Sequence, residues 1–402
     1  MQRLGQMIRQ LAHYRRQWET AMNASNAASP AMGTPSMPTR LNEVTGFGSN
    51  PGNLRMLTYV PESLPPSPAL VVVLHGCTQT AAGYDHGSGW SSLADRYGFV
   101  LLYAEQQETN NPKRCFNWFQ LADIERDRGE AHSIRQMVEH AVEHHSLDRD
   151  RIFVTGLSAG GAMTATMLAA YPEVFAGGAI IAGLPYRSAT SIPEAFESMF
   201  QGQTRSAEEW GALVREASPH RGPWPKVSVW HGSADATVKP MNAGEIIKQW
   251  TNVHGLPAEA SRSDIVDGYP RRAWTDGSGG EIIEEYVITG MAHGTPLAVG
   301  NDEHNYGTAG PFLLDVGISS SYRIAKFWGL TEGFEGQAFR RVPDDAVAQN
   351  TTATIHALPT ARDEPVREDA ARDAPRGNRP PPSHLDIGSV ITKALRSAGL
   401  MK

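Results

Sequence analysis

The chain has 402 residues, 40% of them hydrophobic, and a formal net charge of −7. That length supports a single core of about 250 residues or more with segments to spare. The acidic balance argues against a nucleic-acid partner, whose phosphates demand a basic face, and no continuous apolar run is long enough to span a bilayer.

Leu4, Met7, Ile8, Leu11 and Trp18 recur at helical spacing, while Arg3, Arg9, Arg15 and Arg16 interrupt the apolar segment that a secretion signal needs. The pattern predicts an amphipathic helix with two open uses: packing on the main domain or a second copy, or docking on a granule or membrane surface. Asn23 to Pro38, rich in Ala, Ser, Asn and Pro, reads as a linker. Residues 1–49 are therefore expected to stand outside a main domain at 50–335.

The next element is Ala69–Leu74, a buried-strand pattern that runs into His75-Gly76-Cys77-Thr78-Gln79. A second strand, Arg151–Thr155, leads into Gly156-Leu157-Ser158-Ala159-Gly160 and then into helix-forming residues 161–168. In a strand, tight turn and helix of this kind the serine at the apex exposes its hydroxyl, and the flanking glycines let helix and strand approach. Ser158 is thus a candidate nucleophile. G-x-S-x-G alone is a weak signal, because a glycine-rich turn with an idle serine spells the same letters. Chain order strengthens it: such a hydrolase needs a donor loop before the serine, an acid after it and a histidine last.

The His75–Gln79 loop suits the donor role, with the backbone N–H groups of Cys77 and Ala159 as the oxyanion hole. His75 is expected at the substrate-binding site, bracing the loop by hydrogen bonding rather than exchanging protons, since the base should lie after the serine. The strand at Val227–Trp230 ends in His231-Gly232-Ser233-Ala234-Asp235, which presents Asp235 at a sheet edge as the acid that fixes the base's tautomer. Asp264, Asp267 and Asp276 are the surface carboxylates against which it is weighed. A strand at Ile282–Ile288 then leads to Gly290-Met291-Ala292-His293-Gly294, making His293 the candidate base; His304, in an acidic loop, is its rival. After about Phe339 the chain turns to Pro, Arg, Asp, Glu and Ala, so residues 336–382 are expected to be disordered. Ile387, Val390, Ile391, Ala394 and Leu395 then form a short helical stripe within residues 383–402.

The chain resembles the polyhydroxybutyrate (PHB) depolymerase family of serine esterases. The matching residues are Leu74–Gln79, the run from Asn111 through Arg114–Phe119, Gly156–Gly161, Trp230–Gly232 with Asp235, Gly290–Pro296, and Gly310–Phe312 with Asp315–Ser320. The resemblance covers about residues 50 to 330 and implies an α/β-hydrolase fold, a mostly parallel sheet flanked by helices. It implies hydrolysis of short-chain polyhydroxyalkanoate or related esters through Ser158, Asp235 and His293, in two acyl-transfer steps with no cofactor and no metal. Because the family also contains feruloyl and acetyl esterases, those substrates stand as the alternative; a serine peptidase and a granule-binding protein with a vestigial site are the more distant ones. Cys77 and Cys115 both fall in matching motifs, and the resemblance favours a disulfide between them over free thiols. Trp118 is a candidate substrate wall or, equally, a core tryptophan. The lack of a signal segment points to the cytoplasm and the resemblance to an extracellular setting, so location is open.

Overall fold

In chain order, ten strands make the main sheet: β1 (Asn42–Val44), β2 (Arg55–Tyr59), β3 (Leu70–Leu74), β4 (Val100–Glu105), β5 (Ile152–Leu157), β6 (Gly177–Ile181), β7 (Lys226–Gly232), β8 (Arg262–Val266), β9 (Tyr269–Thr275) and β10 (Glu281–Ile288). Their spatial order is β1-β2-β4-β3-β5-β6-β7-β10-β9-β8. The six central strands, β4 to β10 in that order, run parallel, and both edges are antiparallel. This computed structural model describes residues 39–300 and 302–332. The helices expected near both termini, the linker and the Pro/Arg/Asp-rich tail lie outside them, as does any docking of those helices on a granule or a second copy.

The helices are α1 (Ala81–Ser88), α2 (Trp90–Tyr97), α3 (Leu121–Ile124), α4 (Gly129–His145), α5 (Ala159–Ala170), α6 (Ile192–Phe200), α7 (Ala207–Glu216), α8 (Met241–His254) and α9 (Ser320–Phe327). Strand β3 shows why they lie on both faces. Its side chains alternate, so Leu70, Val72 and Leu74 join one core with Met137 of α4, Met167 of α5 and Trp250 of α8. Val71 and Val73 point the other way, into a core with Trp90 and Leu93 of α2 and Ile324 of α9. An unbroken apolar, β-branched strand is what two covered faces require. Helix α5 is buried on every side, in keeping with its Ala-, Met- and Thr-rich sequence.

One boundary and one small sheet differ from the sequence reading. The sheet starts at Asn42, where β1 pairs with β2, because Asn42–Val44 finds a free strand edge that local sequence does not reveal. A small parallel pair, β11 (Thr295–Leu297) with β12 (Leu313–Asp315), was not foreseen; each strand has only three residues, too few for a periodic pattern.

From β3 the chain moves to β4 on one side, then returns to place β5 on the other side of β3. Where strand order reverses in this way a crevice opens at the carboxyl ends of the strands. The loop after β3 and the turn after β5 meet there.

Candidate active site

Ser158 sits at the junction of β5 and α5 with φ 57° and ψ −116°. A non-glycine residue in that region costs about 1–3 kcal/mol, and the neighbouring packing holds it. A Cβ on Gly160 would lie 2.3 Å from Leu74 O and 2.6 Å from His75 O, and one on Gly156 would lie 2.5 Å from the Gly160 carbonyl carbon. Only glycines let α5 come this close to β3 and β5. Ser158 N donates to Ile181 O at 2.9 Å, and Ser158 O accepts from Ala162 N at 2.9 Å. The first N–H groups of α5, Ala159 among them, have no carbonyl within the helix to bond.

The donor loop is pinned at several points. Gln79 Oε1 accepts from Gly76 N at 2.8 Å, and Thr78 N donates to Lys113 O at 2.6 Å. Cys77 and Cys115 form a disulfide across 38 residues of chain. The segment carrying Cys115 is anchored in turn by Glu130 in the first turn of α4. Glu130 accepts from Gln106 Nε2 at 2.5 Å, from Asn117 Nδ2 at 2.8 Å and from Asn117 N at 2.9 Å. Burial, with Asp123 nearby, pushes the Glu130 carboxyl up to about 8 against those donors. Nothing in the local sequence marks Glu130, since a glutamate at a helix start is ordinary.

His75 is buried beneath the donor loop's own backbone bonds. It is 1% exposed; Nδ1 donates to Gly76 O at 2.7 Å and Nε2 accepts from Gln106 N at 3.1 Å. Burial lowers its proton affinity, which keeps it neutral in that tautomer. Both nitrogens are occupied by backbone groups, the arrangement of a loop brace. Trp118 is buried too, among Ala159, Ala162 and Leu184 and beside the Cys77–Cys115 bridge. Its ring packs edge-on to Phe119 at 5.5 Å, in a cluster that also takes in Met199.

Strands β7 and β10 are parallel neighbours, with Ile288 opposite Gly232, so the loops after them emerge side by side. That brings Asp235 and His293 together. His293 Nδ1 donates to Asp235 Oδ2 at 2.7 Å, while Asp235 Oδ1 accepts from Thr237 N at 2.8 Å and Val238 N at 2.9 Å. His231 Nε2 lies 3.3 Å from Oδ2 and 2.8 Å from Val238 O, so its N–H is shared between them. Burial alone would raise the Asp235 carboxyl, but the two histidines outweigh it and hold the group well below the usual carboxylate range. His231 was not foreseen; it is legible only as the second letter of Trp230-His231-Gly232.

Ser158 and His293 line one cleft, with Cys77 and Gln79 of the donor loop and with Met199, Thr237 and Phe312. No hydrogen bond joins Ser158 and His293 among the described residues; such contacts often tighten only when substrate binds. His304 is elsewhere, stacked on Tyr322 at 4.4 Å and 3.4 Å from Glu303. Asp264 faces Arg262, Asp267 binds Arg323, and Asp276 closes its own turn with Ser278 and Gly280. Among the described residues no cluster of three His, Cys, Asp or Glu side chains is placed to hold a metal.

A strained serine over a glycine-packed helix, with a buried His–Asp pair across the cleft, is the arrangement of an acyl-transfer hydrolase. The family described as esterase PHB depolymerase matches residues 57–264. The chain belongs to this family. Over 291 residues it is 49% identical to "Poly(3-hydroxyalkanoate) depolymerase C" of Paucimonas lemoignei, which covers 72% of this chain and 70% of the relative. It is 38% identical to "Feruloyl esterase B" of Neurospora crassa, covering 64% of this chain and 88% of that one. Among solved structures, "Acetyl xylan esterase from Aspergillus awamori" superposes with a TM-score of 0.62 at 26% identity, covering 72% of this chain and 99% of that one. This PHB depolymerase-family chain therefore has the α/β-hydrolase fold and is a carboxylic ester hydrolase. No helix among the described residues is long and apolar enough to cross a membrane.

Proposed function

We propose that the protein hydrolyses the ester bonds of short-chain polyhydroxyalkanoates or their oligomers through an acyl-enzyme on Ser158. With Nδ1–H given to Asp235, His293 keeps Nε2 unprotonated and able to take the Ser158 proton. Ser158 Oγ attacks the ester carbonyl carbon, and the N–H groups of Cys77 and Ala159 receive the negative charge on its oxygen. His293 then protonates the departing alkoxide. In the second step it deprotonates a water, which attacks the acyl-enzyme and frees Ser158. Asp235 stays ionised throughout, stabilising the imidazolium that forms in each step.

The observation that carries the substrate class is the 49% identity to a poly(3-hydroxyalkanoate) depolymerase over 291 residues. The feruloyl and acetylxylan esterase relatives, at 38% and 34% identity, support a second reading in which the substrate is a small or carbohydrate-linked ester. A panel of 3-hydroxybutyrate oligomers, amorphous PHB, feruloyl esters and acetylated xylan separates the two. Turnover of the oligomers at least tenfold above the others is the expected outcome; preference for an acetyl or feruloyl ester would sink it. A lasting Cys77–Cys115 bridge also supports an oxidising, extracellular setting. Thiol titration of protein recovered from medium and from cells checks that, and free thiols in the recovered protein would count against it.

A further inference from the structure

Phe312 has features that the acyl-transfer scheme leaves unused. It lines the cleft with Ser158 and His293, its ring meets the His293 imidazole edge-to-face with centroids 6.1 Å apart, and its backbone sits at φ 62°. Positive φ in a bulky residue is a true outlier, and such strain persists only where the surroundings over-determine it.

Here they do. Thr295 N donates to Phe312 O at 2.8 Å as β11 and β12 begin to pair. Gly294 leaves room for that carbonyl, since a Cβ there would lie 2.8 Å from the same oxygen. The adjoining Leu313 occupies the space left by Gly87, where a Cβ would fall 1.9 Å from Leu313 Cδ1. Glycine would accept this backbone without strain, so a phenylalanine at this position points to use of the ring.

Across the cleft, Met199 of α6 supplies a second apolar wall. We propose that Phe312 is the specificity-determining residue of this site, limiting with Met199 the acyl unit to one with a short alkyl branch, such as the methyl of a 3-hydroxybutyrate unit. This rests on the ester-hydrolase reading of Ser158. A longer branch would need the volume that the ring fills.

The test uses the full chain with Phe312→Ala, Phe312→Leu, Met199→Ala and Ser158→Ala. Each is assayed on p-nitrophenyl acetate, butyrate, hexanoate and octanoate and on dimers of 3-hydroxybutyrate and 3-hydroxyoctanoate, with thermal melting to report folding. Opening the wall should raise the octanoate-to-butyrate ratio of kcat/KM by about tenfold or more in Phe312→Ala, less in Phe312→Leu, with Met199→Ala moving in the same direction. A wild-type ratio in folded Phe312→Ala overturns the proposal. If that variant does not fold, unchanged ratios in both Phe312→Leu and Met199→Ala overturn it instead. Ser158→Ala separates the two layers: full activity in it removes the hydrolase reading, whereas an inactive Ser158→Ala beside unaltered ratios removes only the role of Phe312.

Discussion

On one wall of the cleft Ser158 and the donor loop are fastened by a disulfide and by a buried carboxyl, Glu130. On the other, His293 and Phe312 are held by hydrogen bonds and packing alone: Asp235 on His293, Thr295 N on Phe312 O, Tyr84 Oη on Thr295 Oγ1 at 3.0 Å, Leu313 against Gly87. The first wall must aim backbone N–H groups at an oxygen, where small misplacement costs rate, so covalent bracing suits it. The second wall carries the groups that exchange protons and shape the substrate. Its Asp–His hydrogen bond has to persist while His293 changes charge, which a carboxylate held ionised by several donors allows.

Substitutions at the two walls should therefore fail in different ways. The largest effect is chemical and symmetric across the cleft: Ser158→Ala and His293→Ala each lower kcat/KM for p-nitrophenyl butyrate by about 10⁴-fold or more, and the double variant adds little, because these residues act as a unit. Independent, additive losses would break the pairing of the walls. Asp235→Asn follows with about 10³–10⁴-fold, since an amide no longer stabilises the correct imidazole tautomer. It has a pH signature as well. The Asp235 carboxyl is held below its ordinary 3.8, so the stability it lends is fully present above that value and is lost as pH falls through the depressed one. Melting curves should show the wild type converging on Asp235→Asn below about pH 4; a constant gap down to pH 2 would mean that the carboxylate is not stabilised.

Bracing of the serine wall is tested next. Cys115→Ser, or mild reductant, should cost about 2–4 kcal/mol of stability and slow turnover together, as the same bridge steadies the donor loop. Glu130→Ala should cost about 1–3 kcal/mol for the donors on Gln106 and Asn117 left unpaired. The double variant should lose less than the sum, because both braces act on one loop; strict additivity in urea unfolding would show that they are separate. The smallest effect is expected from His304→Ala, within about 0.5 kcal/mol in stability and rate. An inactive, folded His304→Ala would transfer the base from His293.

Read along the chain, the serine wall was largely legible. Its strand, turn and helix are continuous in sequence, and the glycines of Gly156–Gly160 state locally that two backbones must touch. Asp235 and His293 were legible by a weaker rule, that of chain order, together with strands whose ends expose the next loop. His75 and Trp118 were found as residues, but the surroundings that bury each of them were not written in their own stretch of sequence. Their neighbours, Gln106 for one and Ala159 and Leu184 for the other, come from other parts of the chain.

What the sequence by itself determined is thus the set of local backbone events: apolar β-branched strands, the strained turn at Ser158, and the order of donor loop, nucleophile, acid and base. These depend on sterics between residues a few positions apart, which composition and spacing encode directly. Only the tertiary structure decided that β7 and β10 lie side by side so that Asp235 meets His293, that Glu130 anchors Asn117, and that Phe312 enters the cleft. Each of those depends on a partner brought in by sheet order or by the room a distant glycine leaves, as Gly87 does for Leu313. Packing of that kind is a property of volumes meeting in space, and a one-dimensional pattern carries no record of which volumes meet.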